Sequence, residues 1–336
     1  MKQRRFTIAI TVLFILLAVL LLLALCAGRY SMNPVDVLRV IVEKCRGVPL
    51  SDPSMENVVF LIRLPRILAA MLVGAALSLS GAVYQGVFQN PLVSPDLLGV
   101  SSGACVGAAS AIMLGMSMVG TQLFAFAGGL VTVLIATTIP RLLRNSSNMM
   151  LVLSGIIVGG FMSSLLGLFK FAADPETQLQ QIVFWQMGSL ANVRNAQVWA
   201  VMPVILVCIA IVMLLSWRIN ILSFGESEAK TLGVNIKWLR GTAIACASLL
   251  TACAVSISGT IGWVGLVIPH LGRLLVGPDN TRLLPTAALL GAVFMLSIDT
   301  AARVATSLEI PLSILTGLIG APFYGWLLYK QKAKIQ

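Results

Sequence analysis

The chain has 336 residues, 58% hydrophobic and only 10% charged, with a formal net charge of +11. A mean hydropathy of +0.96 leaves too little polar surface for a water-soluble fold, and a separate catalytic domain of roughly 100–150 residues finds no room beside the apolar segments. The bases stand singly between apolar runs, a pattern that speaks for membrane topology and against nucleic-acid binding.

A helix needs about 20 apolar residues to cross a hydrocarbon core of ~30 Å. Ten segments are expected to do so, at 7–27, 64–86, 97–116, 119–140, 148–169, 195–215, 240–258, 261–275, 284–305 and 311–329. The first follows Met1-Lys-Gln-Arg-Arg and is longer than the apolar part of a secretory signal. No small-x-small cleavage site follows it, so it reads as an uncleaved span. Residues 28–63 form a long connection carrying Pro34, Pro49 and Pro53. From Ile67 to Pro140 the only charged residue is Asp96. Residues 170–194 form a second long connection, in which Gln178–Leu190 reads as a short amphipathic helix at the membrane interface with Trp185 as its anchor. Residues 216–239 are the most polar stretch of the chain. The sequence is thus expected to build a single transmembrane domain, 1–336, of the all-α membrane class with about ten transmembrane helices.

An even number of spans puts both termini on one side. Lys and Arg are more numerous in the segments on that side, which include 216–239, so the termini are expected in the cytoplasm and residues 28–63 and 170–194 outside.

Small residues recur at every fourth position: Ala70, Gly74, Ser78 and Ala82; Gly99, Gly103 and Gly107; Gly155 and Gly159. In lipid, helices associate by close backbone approach through such stripes, so helix packing is the expected use. Asp299 and Arg303 stand four apart in the ninth span and share a face, where they can pair.

Several chemistries lack their parts. There is no GxxxxGK[ST] and no G-x-G, so neither familiar phosphate cradle is present. His270 is the only histidine, and the six cysteines show no C-x-x-C spacing, which leaves metal ligation and Ser–His catalysis without ligands or base. No catalytic residue, resident cofactor or metal site is expected. Ion-coupled carriers normally use intramembrane carboxylates or histidine relays, and these are almost missing as well. A transporter with neither relay nor nucleotide site implies an energy source on another polypeptide.

Three stretches are specific enough to suggest a family. Arg63-Leu-Pro-Arg66 followed by ILAAMLVGAALSLSGAVYQGVFQNPLVSPDLLGVSSGA, the loop Leu222–Val234 (LSFGESEAKTLGV), and Gly259–His270 (GTIGWVGLVIPH) with Arg273, Gly277–Arg282 and Asp299-Thr-Ala-Ala-Arg303 appear in order over nearly the whole chain. The sequence resembles the transmembrane permease subunits of type II ABC importers for iron–siderophores, haem and cobalamin. It departs from the family's common pattern at Trp263, where Phe is usual, and at Asn280, where His is usual.

That resemblance implies ten helices per subunit and a pairing of two permease subunits, here a homodimer. Two ABC ATPase subunits would dock from the cytoplasm, and a soluble or lipid-anchored substrate-binding protein from outside. The assembly would sit in a bacterial or archaeal cytoplasmic membrane, in contact with membrane lipid and not with nucleic acid. It further implies Gly225, Glu226, Ala229, Leu232 and Gly233 as ATPase-coupling positions, Asn90, Ser146 and Ser147 as a cytoplasmic gate, and Arg63, Arg66 and Arg303 as docking residues for the binding protein. The expected cargo is a metal chelate, ferric siderophore first and haem or cobalamin next. An oxyanion on the same scaffold, or an ion-coupled secondary carrier, are the alternatives.

Overall fold

The computed structural model describes all residues except 1, 29, 31, 48–52, 146, 223–224, 306–308 and 333–336, with backbone alone at 2, 45, 53, 226–228, 328 and 331–332. Among the described residues the regular structure is entirely helical. In chain order the helices are α1 (Lys2–Cys26), α2 (Pro34–Arg46), α3 (Pro53–Asn57), α4 (Leu64–Phe88), α5 (Val100–Met113), α6 (Met118–Leu142) and α7 (Asn148–Ala172). They continue with α8 (Gln178–Met187), α9 (Asn195–Leu222), α10 (Glu226–Thr231), α11 (Ile236–Ser258), α12 (Val264–Val276), α13 (Asn280–Ala305) and α14 (Leu312–Lys332). A π turn, Val58–Arg63, leads into α4, and a 3-10 turn, Pro95–Leu98, leads into α5.

Ten apolar helices fall where ten spans were expected. Seven of them, α1, α4, α6, α7, α9, α11 and α13, are long and apolar enough to cross a bilayer unaided; α5, α12 and the apolar part of α14 are shorter. The 14 residues of α5 rise only about 21 Å. Non-helical chain makes up the difference, with Pro95 and Leu98 of the 3-10 turn buried in protein. Irregular backbone at membrane depth is tolerated only in such surroundings.

The connections are more ordered than their composition suggests. Within 28–63, α2 starts on Pro34, where a missing N–H is harmless, and ends on Gly47 in the left-handed conformation. The polar stretch 216–239 is mostly helix, because α9 runs on to Leu222 and α10 and α11 occupy much of the rest. The expected short helix forms as α8; its Trp185 is half-buried against the clusters around Cys105 and Ala109 and around Ala104 and Val255, and Phe184 is the exposed aromatic. Ten residues with Ile182 and Trp185 on one face can bury that face against α5 instead of lipid.

Helix α4 is the central post of the bundle, buried along nearly its whole length, whereas α1 lies at the periphery. The stripes of small residues act as packing surfaces. A methyl on Gly74 would lie 2.1 Å from the carbonyl oxygen of Gly291 in α13, and one on Gly81 would lie 1.8 Å from that of Gly265 in α12. On Gly107 it would meet the Phe124 carbonyl at 2.0 Å, so α5 and α6 also touch backbone to backbone. Hydrogen bonds fasten the post to its neighbours. Ser80 Oγ donates to Ala247 O at 2.8 Å, the hydroxyls of Tyr84 and Ser248 meet at 2.7 Å, and Ser78 Oγ donates to Ala287 O at 2.7 Å. Such bonds satisfy polar groups where no water is available.

Candidate functional sites at the two ends of the bundle

Ten alternating helices bring the start of α1, the end of α14, the α4–α5 link, α10 and the α12–α13 turn to one end, called here the terminal end. The start of α4, the ends of α1 and α13, and α8 lie at the opposite end.

At the terminal end, α10 is a single helical turn and a half held by its own backbone. Gly233, at φ +76°, closes it, with Gly233 N–H donating to Lys230 O at 3.0 Å and Val234 N–H to Ala229 O at 3.1 Å. This is a Schellman-type stop, which needs a residue tolerant of the left-handed region. Gly225 stands before the helix at φ +115°, and its carbonyl accepts from Ala229 N–H at 3.1 Å. Ala229 is fully buried, and Leu232 is 65% exposed. Glu226 opens the helix by its backbone, while its side chain lies outside the described residues. The result is a fixed knob, anchored by Ala229, with an apolar side chain turned outward.

The base of that knob is tied to the rest of the bundle by residues that sequence reasoning missed. Gln89, left-handed at φ 52°, caps α4 and donates its side-chain amide to the carbonyl of Leu222, the last residue of α9. Asn220 Nδ2 donates to Asp279 Oδ1 at 2.6 Å, and Asn220 Oδ1 accepts from Asn280 N–H at 2.7 Å, locking α9 to the α12–α13 turn. Burial alone would raise the Asp279 carboxyl, but hydrogen bonds from Thr281 and Asn220, with Arg282 nearby, hold it below the usual carboxylate range. Deeper in, buried Gln85 accepts from Arg273 and donates to Val93 O at 3.1 Å. A glutamine inside an otherwise apolar span was the available signal for that link.

Of the three positions expected to form a gate, Asn90 and Ser147 are among the described residues. Asn90 follows Gln89 and accepts from Leu92 N–H at 2.9 Å, which shapes the exposed turn between α4 and α5. Ser147 is the N-cap of α7, accepting from Met150 N–H at 3.2 Å. Ser146 lies outside the described residues.

At the opposite end the three arginines converge with two acids. Arg66 Nε lies 3.0 Å from both oxygens of Asp299, and Arg66 Nη1 lies 2.8 Å from Glu309 Oε1. Arg63 is buried and donates to the carbonyls of Leu25, Cys26 and Tyr30, so it caps the end of α1. Arg303 Nη2 donates to Ala24 O at 2.7 Å. The expected Asp299–Arg303 pairing is corrected: among the described residues the ion pair of Asp299 is with Arg66, from another helix. Below this cluster, Leu312 N–H donates to Gly188 O at 3.0 Å and Ser189 N–H to Ser258 O at 2.8 Å, joining the ends of α8, α11 and the start of α14. Trp263, left-handed at φ 70°, leans on Gly320 of α14, where an added methyl would lie 2.7 Å from its Cβ. No group of three or more potential metal ligands occurs among the described residues.

Comparison with known proteins agrees with this architecture. Residues 16–330 match the FecCD transport family. The chain is 43% identical over 320 residues to the molybdate import system permease protein MolB of Haemophilus influenzae, covering 95% of each chain. It is 42% identical over 279 residues to a Helicobacter pylori protein described as a probable iron chelatin transport system permease, covering 83% of this chain and 84% of that one. A solved structure of a metal-chelate type ABC transporter in an inward-facing conformation superposes with a TM-score of 0.86 at 43% identity, covering 96% of this chain and 99% of the other. The helical bundle, its capped knob at the terminal end and these likenesses have one reading: the chain belongs to the FecCD transport family and is a permease of the ABC importer type.

Proposed function

We propose that this chain forms half of a dimeric permease that carries a metal chelate inward, driven by two ATPase subunits seated on the terminal end. The observation that carries the reading is the α10 knob, with Ala229 buried beneath it, Leu232 exposed on it, and its base bonded to α4 and α13. A push on Leu232 is transmitted through Leu222–Gln89 to the turn containing Asn90, and through Asn220–Asp279 to the foot of α13. Rigid segments joined at polar links are the parts needed for an alternation between outward- and inward-facing states. On this reading the terminal end is cytoplasmic, and Asn90, Ser146 and Ser147 close the path there. A binding protein delivers cargo at the opposite end, where Arg63, Arg66 and Arg303 frame the entrance.

A ferric siderophore is the first cargo, in keeping with the iron chelatin permease of Helicobacter pylori. A second reading, a molybdate-type oxyanion, is favoured by the likeness to the Haemophilus influenzae permease over 95% of both chains. The test is reconstitution of the permease with its ATPase and binding protein in proteoliposomes. Uptake of labelled ferric siderophore, dependent on ATP, is the expected result. Uptake of molybdate or tungstate instead gives the second reading, and uptake driven by an ion gradient without ATP overturns both.

A further inference from the structure

A groove of about 690 Å³ opens between α6, the start of α7 and the start of α11, at the end of the bundle opposite the arginine cluster. Its inner walls are apolar, formed by Leu130, Val133, Leu134, Leu151, Ile244 and Leu249. Four bases stand at its terminal-end mouth: Arg141 and Arg144 from the end of α6, and Lys237 and Arg240 from the first turns of α11. Lys237 and Arg240 are three residues apart and so lie on one face of α11, while Arg144 stands two residues past the end of α6.

Two of these bases are placed against local preference. Arg144 closes α6 in the left-handed conformation at φ 50°, with Asn145 N–H donating to Pro140 O at 3.0 Å; glycine or asparagine would adopt that turn with less strain. Lys237 sits in the first turn of α11, which contains no acidic residue, so its charge faces the positive end of the helix dipole. Residues that break local rules in the same place point to a common function, and an anion between the two helices would relieve the second conflict. Trp238, next to Lys237 in the first turn of α11, is 52% exposed, as aromatic side chains are at headgroup level.

We infer that the groove binds an anionic phospholipid of the leaflet at the terminal end, with its phosphate among Arg141, Arg144, Lys237 and Arg240 and an acyl chain along Leu134, Ile244 and Leu249. A diphosphate lipid of the cardiolipin type suits a mouth lined by several bases. Basic pockets between transmembrane helices on the cytoplasmic side suit such headgroups. The apolar depth of the groove distinguishes a lipid from a free polyanion or an acidic protein edge, since those would engage only the bases.

Two variants separate these chemistries. Arg141→Gln with Arg144→Asn and Lys237→Gln removes charge while Asn keeps the left-handed turn. Gly241→Phe fills the groove and leaves every base in place, since nothing lies within 4 Å of a carbon added at Gly241. Gly241→Leu is the milder replacement, and Gly160→Phe, also in open space, is the control. Purified protein in nanodiscs of phosphatidylcholine alone, or with phosphatidylglycerol or cardiolipin, is transferred to detergent, and the retained lipid is counted by native mass spectrometry. Wild type and Gly160→Phe should retain anionic lipid and not phosphatidylcholine. Retention should fall about fivefold for each base neutralised and comparably for either Gly241 variant. Loss on charge removal with normal retention in both Gly241 variants overturns the proposal in favour of a polyanion or an acidic protein surface. Displacement by inorganic phosphate alone, equal retention of phosphatidylcholine, or retention unchanged by charge removal overturns it as well.

Discussion

The guanidinium of Arg66 and the carboxylate of Asp299 lie 233 residues apart in the chain and meet with both of their side chains almost wholly buried, at 6% and 1% exposure. Glu309 takes the remaining edge of the same guanidinium. The pair thereby joins the first turn of α4 to the last turns of α13, and the neighbouring bonds of Arg63 and Arg303 add the end of α1. Burying two charges is itself expensive, so the pair specifies how these helix ends meet more than it stabilises them.

Breaking that pair from one side should therefore be worse than removing it. Asp299→Ala leaves a buried guanidinium short of a partner and should destabilise the protein by about 3–5 kcal/mol. Arg66→Met combined with Asp299→Leu should recover much of the loss. Thermal unfolding of the wild type, Arg66→Met, Asp299→Leu and the double variant in one detergent checks this, and additive losses would show that the two residues do not interact.

Glu309 holds the edge of Arg66 that a carboxylate on the binding protein would need. Glu309→Gln should release it, giving severalfold faster docking with a steeper dependence on salt. Surface plasmon resonance at low and high ionic strength measures both. An unchanged association rate would leave Arg66 with a purely architectural role.

The α10 knob should be sensitive to backbone shape at a position with no neighbours. A carbon on Gly233 meets nothing within 4 Å, yet φ is +76° there. Gly233→Val should strain the turn by about 1–2 kcal/mol and uncouple ATP hydrolysis from uptake, while Gly233→Asn should keep most coupling. Equal coupling ratios in the two variants would remove α10 from the transmission path.

Glycines at helix crossings should respond to volume instead. Gly81→Ala would push a methyl to 1.8 Å from the Gly265 carbonyl and should abolish folded protein, whereas Gly160→Ala, in open space, should change stability by less than about 0.5 kcal/mol. Yield of monodisperse protein after gel filtration separates the two outcomes. A well-folded Gly81→Ala protein would mean that α4 and α12 do not cross this closely.

Much of this molecule is local and was therefore legible in the sequence. Apolar length gave ten helices, because a bilayer sets that length for each segment separately, and small residues four apart marked helix contacts, because that spacing forms one face. The glycines around α10 stand where a short helix must start and stop. What packing decided was partner choice across the chain. Asp299 has Arg303 one turn away on its own helix but pairs with Arg66, since α4 and α13 bring that guanidinium to both carboxylate oxygens. Arg63, external by sequence position, turns inward to the carbonyls that the end of α1 leaves unsatisfied. Trp185 faces α5 because α8 packs on protein there. The two pairs of bases at the α6–α11 groove, close to a hundred residues apart, share one mouth only once those helices are packed. Periodicity and composition describe what a segment shows to its surroundings; which segment supplies those surroundings is settled by the three-dimensional packing alone.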